Sequence, residues 1–159
     1  LILLDGVSWN FQASGHAETN SIPVGIIERI EIIKGPASSA WGSSLGGVIN
    51  IITKPTGTSE RPTGSVRASY GERNTSDYRA QVSGRAGTVG YYLFAGRQDS
   101  DGLRASRDFN TYQFYSKFKV PIASNIDLGL SFGYSDPDIN IGDFPSADIF
   151  SLGNSWRTL

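Results

Sequence analysis

The chain has 159 residues, with 14 Lys and Arg against 15 Asp and Glu and a formal net charge of -1, which leaves no basic field to hold a nucleic-acid backbone. It contains no cysteine and one histidine, which excludes disulfides, thiolate metal sites, a cysteine nucleophile and a His-rich zinc site. Glycine is high at 19 residues and charged residues are low at 18%, against averages of roughly 7% and roughly 25%, a balance that favours strands and turns.

The chain also reads as a piece of a longer one. It has no methionine, and Leu1 to Leu4 run into Asp5-Gly6 as though already inside a strand. Its apolar runs of four or five residues are far below the roughly 20 that a membrane helix needs. A membrane role would have to be carried by strands.

In chain order, Leu1–Leu4 predicts a buried strand ended by Asp5-Gly6, and Phe11–Asn20 a polar loop. Ser21 is placed as an N-cap with Pro23 in the first turn, and Ile26, Ile27 and Ile30 predict one face of a short helix weakened by Gly25. Glu31–Lys34 predicts a strand stopped by Gly35-Pro36, Ala37–Trp41 a single helical turn, and Gly47–Thr53 a β-branched strand. The sum for residues 1–54 is a small α+β unit. Residues 55–63 are turn-rich and polar and read as a linker.

From residue 64 onward the pattern alternates. Ile126, Leu128, Leu130, Phe132 and Tyr134 share one face against Asp127, Gly129, Ser131 and Gly133. Tyr112, Phe114, Phe118 and Val120 oppose Gln113, Lys117 and Lys119; Tyr78, Ala80, Val82 and Ala86 oppose Arg79, Gln81, Ser83 and Arg85; Val66, Ala68 and Tyr70 oppose Ser65, Arg67 and Ser69. Tyr91–Arg97 is apolar on both faces, so its orientation is open. Short connections at 87–89 and 123–125 alternate with longer ones at 72–76, at 99–109 and from Asp136. This is the layout of an outer-membrane barrel, although alternation alone fits a soluble antiparallel sandwich equally well.

Specific words tip the balance: Leu3-Leu4-Asp5-Gly6-Val7 with Asn10, Ile22-Pro23-Val24, the run from Ile27 to Ser38, Trp41-Gly42-Ser43, and the run from Gly46 to Lys54. In order and spacing this stretch resembles the plug domain of TonB-dependent outer-membrane receptors, continuing into the first strands of their barrel. The resemblance implies an α+β plug fragment (1–54), a linker (55–63) and the first five or six strands (64–159) of an antiparallel 22-stranded transmembrane β-barrel. It further implies a bacterial outer-membrane transporter, not an enzyme, that imports a ferric siderophore, haem or cobalamin. Energy would come from TonB through a segment upstream of residue 1, and outer-membrane lipid would surround the wall.

On this reading Asp5, Gly6, Pro23, Gly35, Pro36, Gly42, Gly46, Gly47 and Asn50 form the structural motif of the plug. Glu28, Arg29, Glu31 and Lys34, which in an isolated domain would be a solvated face, meet carboxylates or bases of the inner wall. Lys34 stands where the family often has Arg, and Lys lacks the bidentate fork. Phe11, Gln12, Ser14, His16 and Glu18 contact substrate at the apex of the plug, with an aromatic face, hydrogen bonds and a charge or lone pair. Which substrate this is cannot be read from these residues.

Other chemistries fail on spacing. Gly35–Ser43 has no Lys before Ser43 and fits neither nucleotide fingerprint, so no cofactor is expected. The loop carboxylates Asp136–Asp148 lack the calcium-loop spacing, and a lone His16 builds no Ser/His/Asp set. A small structural or adhesive outer-membrane barrel and a soluble β-rich ligand-binding domain are the alternatives. The first has no place for the α+β unit, and the second should show another set of inward faces.

Overall fold

A computed structural model describes residues 1–10, 17, 19–35, 44, 46–102 and 107–140. The chain divides into two compact units, Leu1–Pro55 and Thr56–Leu159.

The first unit is built on a four-stranded mixed sheet, in the order β2-β1-β4-β3. Strand β1 (Ile2–Leu4) turns back through Asp5-Gly6 onto β2 (Val7–Ser8), pairing Leu4 with Val7. Asp5 (φ 49) and Gly6 (φ 82) both adopt positive φ, as a two-residue type I′ hairpin turn requires and as Asp-Gly tolerates best. Strand β4 (Gly47–Thr53) runs parallel to β1 on one side and antiparallel to β3 (Ile27–Lys34) on the other. Its β-branched run suits it to an inner position in the sheet, paired on both sides.

The short helix expected around Ile26, Ile27 and Ile30 does not form. Thr19–Ser21 and Val24–Ile26 are single 3-10 turns, and from Ile27 the chain is strand. Two causes act together: the isoleucines favour extended backbone, and pairing with β4 from Ile27↔Thr53 to Lys34↔Gly47 satisfies the backbone over the strand's length. The strand expected at Glu31–Lys34 is therefore only the second half of β3. No α-helix occurs among the described residues, which are β with 3-10 turns where the short helix of the α+β expectation was placed. The helical turn expected at Ala37–Trp41 lies outside them.

Among the described residues the core of this unit is small, with Leu3, Ile22, Ile26, Val48, Ile51 and the polar Ser44 and Thr53 buried. Nearly all of β3 is exposed.

The second unit is an antiparallel meander of five strands, β5 (Thr63–Tyr70), β6 (Ser76–Ala86), β7 (Val89–Ser100), β8 (Phe109–Ala123) and β9 (Ile126–Ile139). Gly87 (φ 58) makes the tight β6–β7 turn, and a register shift between Pro121 and Ala123 leads into the β8–β9 turn. Five of the expected five or six strands are described. A sixth would fall beyond residue 140, outside the described residues.

The register sorts the side chains cleanly. Paired residues share a face, so Val66↔Ala80↔Ala95↔Phe114↔Tyr134 form one row, and Gly84↔Tyr91↔Phe118↔Leu130 another. These rows lie on the apolar face, which stays open, with Val66 84% and Phe132 61% exposed. The opposite face carries the polar pairs: Gln81 donates to Ser65 (2.9 Å), Arg79 pairs with Asp77, Gln98 donates to Asp77 (3.1 Å), and Lys119 pairs with Asp127 (2.9 Å). The open orientation of residues 91–97 is thereby resolved: Tyr91, Leu93 and Ala95 join the apolar face, while Tyr92 and Phe94 turn to the polar one and are buried there.

Candidate functional site

Among the described residues, the side chains singled out from sequence converge on the β1–β2 turn and the β4–β3 edge. The Asp5 carboxylate accepts two hydrogen bonds from Thr53, from the backbone N–H (2.9 Å) and from Oγ1 (2.6 Å), while the Asp5 N–H donates to the Ile51 carbonyl (2.9 Å). The turn is thus bound to β4 by backbone and side chain together. The Gly6 N–H donates to Asn50 Oδ1 (3.1 Å), Asn50 Nδ2 donates to Glu31 Oε2 (3.3 Å), and Arg29 Nε donates to Glu31 Oε1 (2.9 Å).

Gly6, Asn50, Glu31 and Arg29 therefore form one polar chain crossing from the turn over β4 to β3. It leaves the Arg29 side chain 57% exposed at its outer end. Glu28 and Lys34 are exposed on the same strand. An exposed strand carrying charges of both signs is suited to ion pairing, and Glu31 already pairs with Arg29.

Glycines shape the far end of this sheet. Gly47 has φ 117, and a Cβ there would stand 2.4 Å from the Ile33 carbonyl oxygen, so only glycine lets β3 and β4 approach at that point. Gly35 (φ 91) ends β3, and Gly46 leads into β4 as an exposed residue. Pro23 supplies the extended residue before the Val24–Ile26 turn, with φ -63. Pro36 and Gly42 lie outside the described residues, as do Phe11, Gln12, Ser14, His16 and Glu18.

Two anchors were not legible beforehand. Thr53 looked like the last β-branched residue of a strand, yet it is 1% exposed and answers Asp5. Lys54 donates its backbone N–H to Ile26 (2.8 Å) and its Nζ to the Gly25 carbonyl (2.7 Å), closing the 3-10 turn onto the end of β4. The pairing of Asp5 with Thr53 spans 48 residues, a separation that no local pattern reports. On the second unit's polar face, Tyr92 donates from its hydroxyl to Gln81 (3.0 Å) and packs tilted against Tyr115 at 6.3 Å between centroids. That aromatic pair stayed hidden because both faces of its strand are apolar.

Comparison with known proteins places this geometry. Residues 1–48 match the TonB-dependent Receptor Plug Domain family, the segment that holds the β1–β2 turn and all of β3. The vitamin B12 transporter BtuB of Vibrio vulnificus is 46% identical over 88 residues, which are 53% of this chain and 14% of that protein. The chain is similar to part of a TonB-dependent outer-membrane receptor.

Solved receptors agree in fold. The structure of the FpvAI–pyocin S2 complex superposes with a TM-score of 0.72 at 25% identity, covering 86% of this chain and 18% of that one. The ferripyoverdine receptor of the outer membrane of Pseudomonas aeruginosa superposes with a TM-score of 0.69 at 23% identity, over 86% and 19%. The chain thus spans less than a fifth of the length of these relatives. They are transporters and receptors, not enzymes, and the receptor fragment belongs to the bacterial outer membrane.

The open apolar face has the dimensions that this location demands. From Ile126 to Tyr134, before Asp136, β9 extends roughly 27 Å at about 3.4 Å per residue. Tilted by about 40°, that run is roughly 21 Å tall, close to the apolar band of about 25 Å in outer-membrane barrels. Tyr70, Tyr78, Tyr112 and Tyr134 on that face gather toward the long-loop end, where an aromatic girdle meets the headgroups.

Proposed function

We propose that this chain is the plug-and-wall junction of an active importer for a scarce nutrient, a corrinoid or a ferric siderophore, with cobalamin the first ligand to test. The observation that carries this reading is the succession, in one chain, of a plug-family unit and a sheet whose apolar face carries exposed large side chains over a membrane-sized height. A structural barrel has no use for the first, and a soluble sandwich would cover the second. The 46% identity to a vitamin B12 transporter over 88 residues favours cobalamin over the siderophores named for the more distant solved receptors.

In the whole protein, further strands complete a 22-stranded barrel, because β5 and β9 have no further partner strand among the described residues and hydrocarbon does not tolerate unpaired backbone groups at a sheet edge. Residues 1–54 fill its lumen. Arg29 and Lys34, with Glu28 and Glu31, pair with groups on the inner wall, and TonB acts through a segment upstream of residue 1. Phe11, Gln12, Ser14, His16 and Glu18 meet the ligand at the apex of the plug, where the loop joins the Asp5-Gly6 turn to Pro23 with small and polar residues.

The test is a titration of the purified full-length receptor and of its Phe11→Ala, His16→Ala double variant with cyanocobalamin and with a ferric siderophore. A desolvated contact predicts binding weaker by about 1 to 3 kcal/mol in the double variant. An unchanged dissociation constant in a folded barrel would place recognition elsewhere, and no binding of either ligand would overturn the substrate class.

A further inference from the structure

We infer that Arg97, with Tyr78 and Tyr112 beside it, is a site for the phosphate group of an outer-leaflet glycolipid on the lipid-facing side of the second unit. The register puts Ala68↔Tyr78↔Arg97↔Tyr112↔Asp136 in one row of the apolar face, directly above the row that ends at Tyr134. Among the described strand residues of that face, Arg97 is the only basic one. Its guanidinium carbon stands 5.1 Å from the centre of the Tyr112 ring, within cation–π range, and both tyrosines are exposed.

A cation on a lipid-facing row is costly at mid-bilayer and nearly free at the interface, where the charge reaches the headgroups. Arg97 stands at the second level, among the tyrosines at the long-loop end. Its side chain is 47% exposed, and Nη2 lies 3.5 Å from Asp99 Oδ2. A charge-assisted hydrogen bond measures about 2.7 to 2.9 Å, so Asp99 balances the charge loosely and leaves most of the planar fork to another acceptor. Phosphate is the acceptor that the fork fits, through two parallel N–H donors.

The surroundings select a phosphate carried by a lipid over a free one. Tyr78 and Tyr112 add phenol hydroxyls in the same row, and Ala95, Phe114 and Tyr134 in the row below offer an apolar floor for acyl chains. The carboxylates set the limit on affinity. Asp99 competes directly for the fork, whereas Asp136 stands two strands away beyond Tyr112, roughly 10 Å at the strand spacing, and is screened at physiological salt over about 8 Å. The site rests on reading the second unit as outer-membrane wall with its longer connections outside, where the leaflet is phosphate-bearing glycolipid.

The experiment places a fluorophore on the full-length receptor at Ala68→Cys, in the same row, and reconstitutes the protein in phosphatidylcholine vesicles. Increasing fractions of nitroxide-labelled diphosphoryl lipid A, or of the same lipid with its phosphates removed, then quench the label according to how often they sit beside it. The phosphorylated lipid is expected to reach half-maximal quenching at a fraction about 5-fold lower. Arg97→Ala is expected to abolish that preference, and Arg97→Lys, which keeps the charge without the fork, to recover part of it. Asp99→Asn should strengthen the preference, a gain that misfolding does not imitate. Equal quenching by the two lipids in the unmodified receptor, or a phosphate preference that survives Arg97→Ala, overturns the site while the membrane wall stands, because both lipids still reach the label. A label quenched by neither lipid takes this face out of the bilayer and overturns the wall together with the site.

Discussion

Asp5 and Thr53, 48 residues apart, are joined twice: one carboxylate receives both the backbone N–H and the hydroxyl of a threonine that is 1% exposed. Because the second partner is buried, the pair holds the β1–β2 turn against the last residue of β4 in a place where water does not substitute for the carboxylate.

Asp5→Ala is therefore expected to cost about 1 to 3 kcal/mol, the penalty for a buried donor left without its partner. Asp5→Asn, which keeps an acceptor oxygen and tolerates the positive φ of the turn, should cost less. Denaturant unfolding of the full-length receptor, followed by hydrogen exchange at Thr53, checks the order. Equal losses for the two variants would show that charge, not the acceptor, matters.

Gly47→Ala addresses the β3–β4 approach. The backbone there lies in the left-handed region and the new methyl would stand 2.4 Å from the Ile33 carbonyl oxygen. A loss of about 1 to 3 kcal/mol is expected from strain at such a position, whereas Gly46→Ala, with nothing within 4 Å of its Cβ, should be nearly silent. Comparing thermal unfolding of the two neighbours isolates the geometric cause.

Leu130 and Ser131 are adjacent in β9 but face opposite ways: Leu130 stands in the row with Phe118, and Ser131 opposite Lys117. Leu130→Arg should cost about 2 to 4 kcal/mol of barrel stability at mid-bilayer, and Ser131→Arg should be mild. Folding into lipid vesicles measures both, and the reverse order would count against the membrane assignment of the apolar face.

Residues 1–54 on their own should fold poorly. Their described core is a handful of side chains, and β3 is exposed along nearly its whole length, far short of what an isolated unit of this size needs. Hydrogen exchange of the separate segment is expected to be fast, and protection is expected to appear only in the full-length protein. Slow exchange in the isolated segment would contradict this.

Local rules made much of this chain legible. Asp5-Gly6 marked the end of β1 because a two-residue turn with positive φ has a narrow chemistry, and β4 was legible as a β-branched run. The alternation in Ile126–Tyr134 assigned faces because a strand's period is two. What sequence could not decide were the places where a partner far along the chain selects among local options. Ile26, Ile27 and Ile30 fit a helix face until pairing with β4 extends Ile27 and Ile30 and leaves Ile26 in the 3-10 turn before them. Tyr91–Phe94 fits either orientation until the register with Ala80 and Phe114 turns Tyr92 and Phe94 toward the polar face. Thr53 and Lys54 carry no sign of the Asp5 and Gly25 groups they bind. In each case the deciding energy comes from contacts across tens of residues, and only the tertiary structure brings those groups together.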